Sequence, residues 1–301
     1  MISCRYYIYR VVILFSIFLF TLNAETADNT LEKDAVNQKL IPKDIALKLQ
    51  KSLVSKISPR LDPQGWKKAS DLLNEADSLE KEGKKKEASE KYTQAGQILL
   101  KIEKEHPYKS FKNGNIKLGK ILLDKQKKTI SFPAIVKYQP DMPVEVLLCT
   151  PLADRNYEAL FFSTIRPIHL QTILYLAGYE NGARVENNKK VKQGSRLRLF
   201  IKYTPKNGAA PIIKSVEEFL CDEKTERKWQ NKYWIFVGSN AYKGRLLADI
   251  TGESIITWCS ESAIIQPSDD NAASGKSHLI LKKQDNIPNE SKITFIIKAE
   301  K

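Results

Sequence analysis

Cysteine and histidine are scarce in this sequence of 301 residues, which contains four cysteines and three histidines. The cysteines stand far apart, without a C-x-x-C pair, at Cys4, Cys149, Cys221 and Cys259. A structural zinc or an iron–sulfur cluster needs Cys or Cys/His ligands at short spacing, and this scarcity excludes both kinds of centre. We therefore expect no metal and no cofactor.

Local signatures of catalysis are also missing. No G-x-S-x-G elbow occurs, so nothing local points to a serine hydrolase. The segment SGKS (274–277) has Asp270 where a phosphate-binding loop requires its first glycine, and strand-like HLILKK follows it instead of a helix. We interpret DDNAASGKS as a surface loop. Asp269 and Asp270 are candidate ligand-binding residues in it, although adjacent carboxylates without the alternating spacing of a calcium loop are usually only solvated.

Long apolar runs are absent except for VVILFSIFLFTL (11–22), whose 12 residues fall short of the roughly 18 of a membrane span. Arg5 and Arg10 precede this run and Ala24 follows it, which is the pattern of a secretory signal peptide. We predict that residues 1–24 are a signal peptide and that the protein is exported, to the periplasm or the extracellular space. Membrane attachment is expected only through this segment, if it stays uncleaved.

The charge is positive, at +14 overall, and +12 without residues 1–24, which hold two arginines and no carboxylate. The positive residues are scattered among Asp and Glu, the longest run being Lys84-Lys85-Lys86. This scatter, together with export, indicates no nucleic-acid partner. Attraction to anionic envelope polymers and a merely soluble surface are the two alternatives.

Three cysteines remain after removal of the signal segment, and this number is odd. One disulfide with one free thiol is one alternative in an oxidising compartment. Cys149 in VEVLLCT and Cys259 in IITWCS lie in apolar, strand-like runs, which is typical of small core residues.

The pattern of the remaining chain changes twice. Residues 25–60 are a polar lead-in, with a short helix predicted over 44–57. In residues 61–110 apolar side chains recur at helical spacing and Gly83 interrupts them, which predicts a helical hairpin. In residues 111–301 the period becomes two, which predicts a β-rich domain.

Small and aromatic residues mark the two helices of the hairpin, at Ala76, Leu79, Gly83, Ala88, Tyr92 and Ala95. This pattern resembles a single tetratricopeptide repeat, in which small residues let two helices cross closely and the glycine forms the turn. About three such repeats are needed to bury a core, and no second copy follows. We expect the hairpin to pack on the next domain or on another protein, as a structural prop or as a contact surface.

The β-rich domain is predicted to contain one helix, which begins after Pro167 and ends at Gly178. Its candidate strands span 116–124, 128–136, 144–150, 158–164, 196–204, 212–220, 233–239, 245–250, 254–258, 278–283 and 292–298. Alternation of polar and apolar residues indicates sheets with one wet face. We predict an α+β protein: a mainly antiparallel β domain with one internal helix, preceded by an α-helical hairpin.

A series of motifs follows in a fixed order: KKTISFPAIV, R-P-I-H-L ending in LAG, YWIFVGS, ADITGESIIT and IPNESKITFIIK. In this order, residues 116–298 resemble the YdjY domain family of bacterial exported proteins, whose function is uncharacterised. The family's most polar motif is similar to Lys-x-His-Glu-Ser-Leu. Here Glu158 and Leu160 match it, whereas Tyr157 and Ala159 replace the histidine and the serine. If the family uses those two residues for chemistry, this chain has lost it.

Glu158 and His169 form the best candidate acid/base pair. A carboxylate and an imidazole brought together across a strand and a helix could share a proton or hold a metal. His169 lies in the first turn of its predicted helix, where the dipole disfavours a positive charge, so we expect a neutral imidazole with a backbone partner. A purely structural role for both residues is the alternative.

Aromatic residues supply the other candidates for ligand binding. In YWIFVGS, alternation places Trp234 and Phe236 on one face, which is normally the core, and Tyr233 on the other. Tyr233 and Tyr157 are therefore candidate ligand-binding residues.

Together these observations predict an exported, non-enzymatic binding or scaffolding protein of the bacterial cell envelope. Its partner would be a protein or an envelope polymer, and its oligomeric state stays open. The alternative is an envelope hydrolase or metal-assisted enzyme that acts through Glu158 and His169.

Overall fold

The computed structural model describes residues 41–139, 142–182, 186, 193–205, 209–269, 279–281 and 289–300. By its internal contacts the chain forms two compact units, Met1–Ile102 and Glu103–Lys301. The predicted signal peptide lies outside the described residues.

The first unit is helical. Its helices are α1 Ile41–Val54, α2 Ser58–Leu61, α3 Pro63–Lys81 and α4 Lys85–Glu105. Helix α3 begins where the carboxylate of Asp62 accepts a hydrogen bond from the Gly65 amide at 2.9 Å and Pro63 fixes the first turn. Gly83 has a φ of +78° in the turn between α3 and α4. The predicted helical hairpin is confirmed.

Small residues form the seam of the helical unit. Its core contains Ala46, Leu53, Ala69, Leu73, Ala76, Ala88, Tyr92, Ala95 and Leu99. Helix α1 passes close to α4, since a Cβ added at Gly96 would lie 3.7 Å from the Cβ of Ala46. The segment expected as a polar lead-in thus supplies a third helix to the core, and this helix begins before residue 44 and ends before residue 57.

A polar network joins α1 to the hairpin. Lys43 lies 2.5 Å from Glu80 and 3.7 Å from Asp77, and the Tyr92 hydroxyl donates hydrogen bonds to both carboxylates. The hydrogen bond that Lys43 donates to Glu80, followed by its hydrogen bond with Tyr92, raises the pKa of Lys43. Burial, followed by the hydrogen bond to Asp77, raises the pKa of Tyr92 to about 12. Both groups therefore keep their protons at neutral pH.

Enlarging the seam should destabilise the helical unit. Ala95 is fully buried in its core, and Ala95→Leu adds an isopropyl group that the close-packed helices cannot accommodate without shifting. We expect a loss of about 1–3 kcal/mol in the free energy of unfolding, measured by urea titration followed by circular dichroism. Glu90→Leu, on the exposed surface of the same helix, is the control. Equal stability of the two variants would contradict close packing at this seam.

The second unit is rich in strands. They are β1 Tyr108–Ser110, β2 Ile116–Leu118, β3 Ile121–Asp124, β4 Thr129–Val136, β5 Val146–Cys149, β6 Ala159–Phe162, β7 Arg196–Tyr203, β8 Ile212–Ser215, β9 Leu220–Asp222, β10 Trp234–Phe236, β11 Ala241–Tyr242, β12 Arg245–Leu246, β13 Glu253–Ile256, β14 Ile265–Pro267, β15 Leu279–Leu281 and β16 Lys292–Ala299. Its helices are α5 Pro167–Leu176 and α6 Leu247–Thr251.

Eight of the described strands close into a barrel, in the order β4, β16, β7, β10, β14, β13, β5, β6 and back to β4. The expected α+β class is confirmed, but the sheet is not purely antiparallel. Strands β5 and β6 run parallel, as do β13 and β14. The closing pair, β4 and β6, is short, with partners Ile135↔Phe162 and Val136↔Phe161.

Several predicted elements differ from the structure. The strand expected over 245–250 is only a two-residue strand followed by α6, so the expectation of one internal helix is wrong. Helix α6 is capped by Gly252, which has a φ of +77°. The alternation of polar and apolar residues does not reveal this turn. Residues 212–220 contain a short strand and a 3₁₀ turn. The helix expected over 168–178 is present as α5 and ends, as predicted, just before Gly178.

Aromatic side chains fill much of the core of the second unit. Phe132 and Phe295 stack with ring centroids 5.2 Å apart, and Phe161 meets Phe295 edge-on at 5.6 Å. Trp234 and Phe236 are fully buried, which confirms the core face predicted for YWIFVGS.

Candidate functional site

Glu158 lies at the end of a 3₁₀ turn, Asn156–Glu158, that leads into β6. Its carboxylate is 3.8 Å from the guanidinium of Arg155. The same guanidinium lies 2.8 Å from Glu253 on β13 and 3.1 Å from Glu145. Glu158 is thus one of three carboxylates around a single arginine, a set that we call the Arg155 cluster.

The Arg155 cluster is largely withdrawn from water. Burial opposes the charge of Arg155, but the hydrogen bond and charge of Glu253, and then the charges of Glu158 and Glu145, outweigh it and raise the pKa of the guanidinium. The side chain of Glu253 is only 6 % exposed and also accepts a hydrogen bond from the Ser262 hydroxyl at 3.2 Å. These contacts hold three segments of the barrel together.

His169 is buried in the first turn of α5 and makes a different set of contacts. Its Nε2 atom lies 3.0 Å from Nδ1 of His106. Arg166 approaches Nε2 of His106 at 3.4 Å. A guanidinium only donates hydrogen bonds, so Nε2 of His106 accepts, and Nδ1 of His106 carries the proton that it donates to His169. In this series of hydrogen bonds from Arg166 through His106, Nε2 of His169 is therefore the final acceptor.

Asp249 on α6 completes the arrangement. One carboxylate oxygen accepts a hydrogen bond from the Ile168 amide at 3.0 Å, and the other lies 3.2 Å from Arg166. The carboxylate thereby caps the N-terminus of α5 from a distant part of the chain. We call His106, His169, Arg166 and Asp249 the histidine cluster.

The expected neutral state of His169 agrees with its surroundings, because burial, followed by the charges of His106 and Arg166, lowers its pKa to about 3. We expected a backbone group as the hydrogen-bond partner of the His169 imidazole. For its Nε2 atom this expectation is wrong, because the partner is the side chain of His106. The close approach of Gly119 explains why this position lacks a side chain: a Cβ there would lie 2.8 Å from Nδ1 of His169.

Glu158 and His169 therefore belong to separate clusters, each with its own arginine. The sequence pointed to these two residues but not to Arg155, His106, Arg166 or Asp249. His106 was visible only as the residue before the proline that ends a helix, a position that carries no signal for a buried partner 63 residues away.

The other candidate residues lie in three different places. Tyr157 is 43 % exposed. The guanidinium carbon of Arg196 lies over the ring of Tyr233, 4.5 Å from the centroid of that ring. Asp269 accepts a hydrogen bond from the indole of Trp229 at 2.7 Å, which gives this carboxylate a structural contact. Asp270 and the segment SGKS lie outside the described residues.

Tyr157 borders a large open cavity of about 700 Å³. Its walls include Ile135, Lys137, Pro151, Tyr157 and Phe162, and we call it the Tyr157 groove. It follows the short seam where β4 meets β6. A cavity of about 240 Å³ shares Ile135, Pro151 and Phe162 with it, and one of about 380 Å³ shares Pro151. Pro151 therefore borders all three cavities.

Three cysteines of the β-rich unit, Cys149, Cys221 and Cys259, are buried, and none of them forms a disulfide. Burial, and then the charge of Glu253, raises the pKa of the Cys149 thiol to about 12. The expected role of Cys149 and Cys259 as small core residues is confirmed, and the alternative of a disulfide is not found.

Within the described ranges, no three His, Cys, Asp or Glu side chains are grouped so that they could hold a metal ion. None of the described helices has both the length and the apolar character needed to cross a bilayer. Comparison with protein-family models, with curated proteins and with solved structures finds no match to this chain.

Proposed function

We infer that this chain is an exported, non-enzymatic binding protein of the bacterial cell envelope, related to the YdjY domain proteins that residues 116–298 resemble. The β-rich unit holds a ligand or partner in the Tyr157 groove, and the helical hairpin offers a second contact surface. The observation that carries this proposal is the groove itself, since it encloses about 700 Å³ and its walls combine exposed apolar and basic side chains. Such concave, partly apolar surfaces are typical of binding sites.

The alternative, an envelope hydrolase or metal-assisted enzyme, requires Glu158 and His169 to act on a common water. Glu158 faces Arg155, and His169 faces His106. A general base works best with a pKa near the operating pH, whereas the pKa of His169 is lowered to about 3. Both residues are better suited to holding the fold.

Native mass spectrometry of residues 25–301, purified from the compartment where the protein resides, tests this function. We expect added mass from a bound molecule, and we expect Ile135→Ser with Tyr157→Ser to lose it. Both positions are exposed, at 42 % and 43 %, so the fold should tolerate the changes. Ile213→Ser, at another exposed isoleucine, on β8, is the control.

The conservative variants Glu158→Gln and His169→Gln should leave the added mass in place, because neither side chain is among the groove's lining. Loss of the bound molecule in these two variants, with retention in the groove variant, would overturn the proposal in favour of the enzyme. A bare chain in every preparation would also count against a binding function.

A further inference from the structure

The Tyr157 groove has two neighbouring cavities, which share lining residues with it. The floor common to the first two is apolar, at Ile135, Pro151 and Phe162, and the third continues past Leu152, whose side chain is 94 % exposed. Exposed apolar side chains in a row are uncommon on a solvated surface unless another molecule covers them. Three neighbouring cavities with a shared apolar floor fit a linear chain better than a compact molecule.

Basic side chains border this floor. Lys137 lies beside Phe162, with its ammonium 5.7 Å from the ring centroid. Lys120 and Lys292 border the second cavity, and Arg245 borders the third. All four of these basic residues are exposed.

Among the described residues of the same walls, carboxylates are few. Glu290 is the carboxylate in the described lining of the first cavity, and Asp249, in that of the third, is already engaged by Arg166 and by the Ile168 amide. The border of the groove is therefore positive, and it complements a negative ligand.

We propose that the Tyr157 groove binds an extended segment of a partner protein in which apolar and acidic side chains alternate. This proposal rests on the binding function inferred above and adds the class of ligand. In an extended peptide, successive side chains point to opposite sides, so apolar residues can cover Ile135 and Leu152 while acidic residues face the bordering lysines. A polyanionic polymer without apolar groups would leave that floor uncovered.

Fluorescence anisotropy with synthetic peptides tests the ligand class. The probe is a fluorescein-labelled decapeptide of alternating leucine and glutamate, and its partners replace every glutamate by lysine or every leucine by serine. We expect the leucine–glutamate peptide to bind, and each replacement to weaken binding by about tenfold or more. Binding should also weaken as salt is raised, because exposed charges are screened.

Protein variants locate the site. Ile135→Ser with Lys137→Glu should weaken binding of the leucine–glutamate peptide by about tenfold or more. The matched control is Ile213→Ser with Lys202→Glu, since these two residues are also exposed and face each other on β8 and β7. This control should bind as the unchanged protein does, and circular dichroism of both variants verifies that they fold.

Three results would overturn the proposal. One is equal binding of the lysine peptide, and a second is equal loss in the control variant. A third is a dimer in light scattering that Ile135→Ser with Lys137→Glu dissolves, which would assign the groove to a second copy of the chain. If no peptide binds while native mass spectrometry still shows a groove-dependent added mass, the peptide class fails and the binding function stands.

Discussion

The free energy of unfolding of the β-rich unit is expected to fall by about 2–3 kcal/mol between about pH 6.5 and about pH 4.5 because of His169 alone. Burial and the neighbouring His106 and Arg166 lower the pKa of His169 to about 3 in the folded state. In the unfolded chain a histidine titrates near its ordinary value of 6.5. The unfolded state therefore binds a proton first. The stabilisation is fully present above pH 6.5 and is lost as the pH falls toward 3.

Urea titrations at several pH values measure this loss, and His169→Gln is the informative variant. Glutamine can accept the hydrogen bond from His106 but does not titrate in this range. We expect this variant to be less stable at neutral pH and to lose less stability on acidification. His106, and Arg166 with its partners Asp249 and Glu105, are present in both proteins. Parallel pH profiles would show that His169 does not carry the acid sensitivity.

Removal of Arg155 should be the most damaging single change in the second unit. Arg155→Met keeps the length of the side chain but leaves Glu145, Glu158 and Glu253 without their shared cation. Breaking a buried ion pair from one side costs about 3–5 kcal/mol, because the remaining charge stays buried. The loss should appear in a urea titration near neutral pH.

The double variant Arg155→Met with Glu253→Gln should recover part of that loss, because it removes the most buried of the three charges. Lys127→Met is the control for an exposed pair. The lysine side chain is 78 % exposed and its ammonium lies 3.8 Å from Asp124, so its removal should change stability by less than about 1 kcal/mol. If Arg155→Met is no more harmful than Lys127→Met, the cluster does not stabilise the barrel.

Local patterns in the sequence predicted the helices well and the sheet only in part. The hairpin and α5 were found because helical spacing, Gly83, Pro167 and Gly178 all lie within the elements that they define. Most strands were found by alternation. Their order was not, because β16 pairs with β4 and β7 across long stretches of chain, and no local pattern encodes such partners. The parallel pairing of β5 with β6 was also missed, because alternation does not encode the relative direction of two strands.

The site was predictable to the same extent. Glu158, His169 and Tyr157 stood out as chemically notable residues near one strand and one helix. Their surroundings depend on distant residues: Arg155 meets Glu253 across 98 positions, and His106 meets His169 across 63. The sequence identified these residues as candidates. In the structure, Glu158 contacts Arg155, His169 contacts His106, and Tyr157 lines a groove.

The position of β16 in the barrel sets a minimum delay before the barrel can close. Thr294 pairs with Pro133, so a strand in the middle of the chain waits for a partner made about 160 residues later. At the usual 5–20 residues per second of synthesis, this delay is roughly 8–30 s. Until then Phe132 and Phe161 lack Phe295, the aromatic ring that packs between them. The nascent chain is therefore held open by its own strand order, long enough for a chaperone to engage it before the barrel closes.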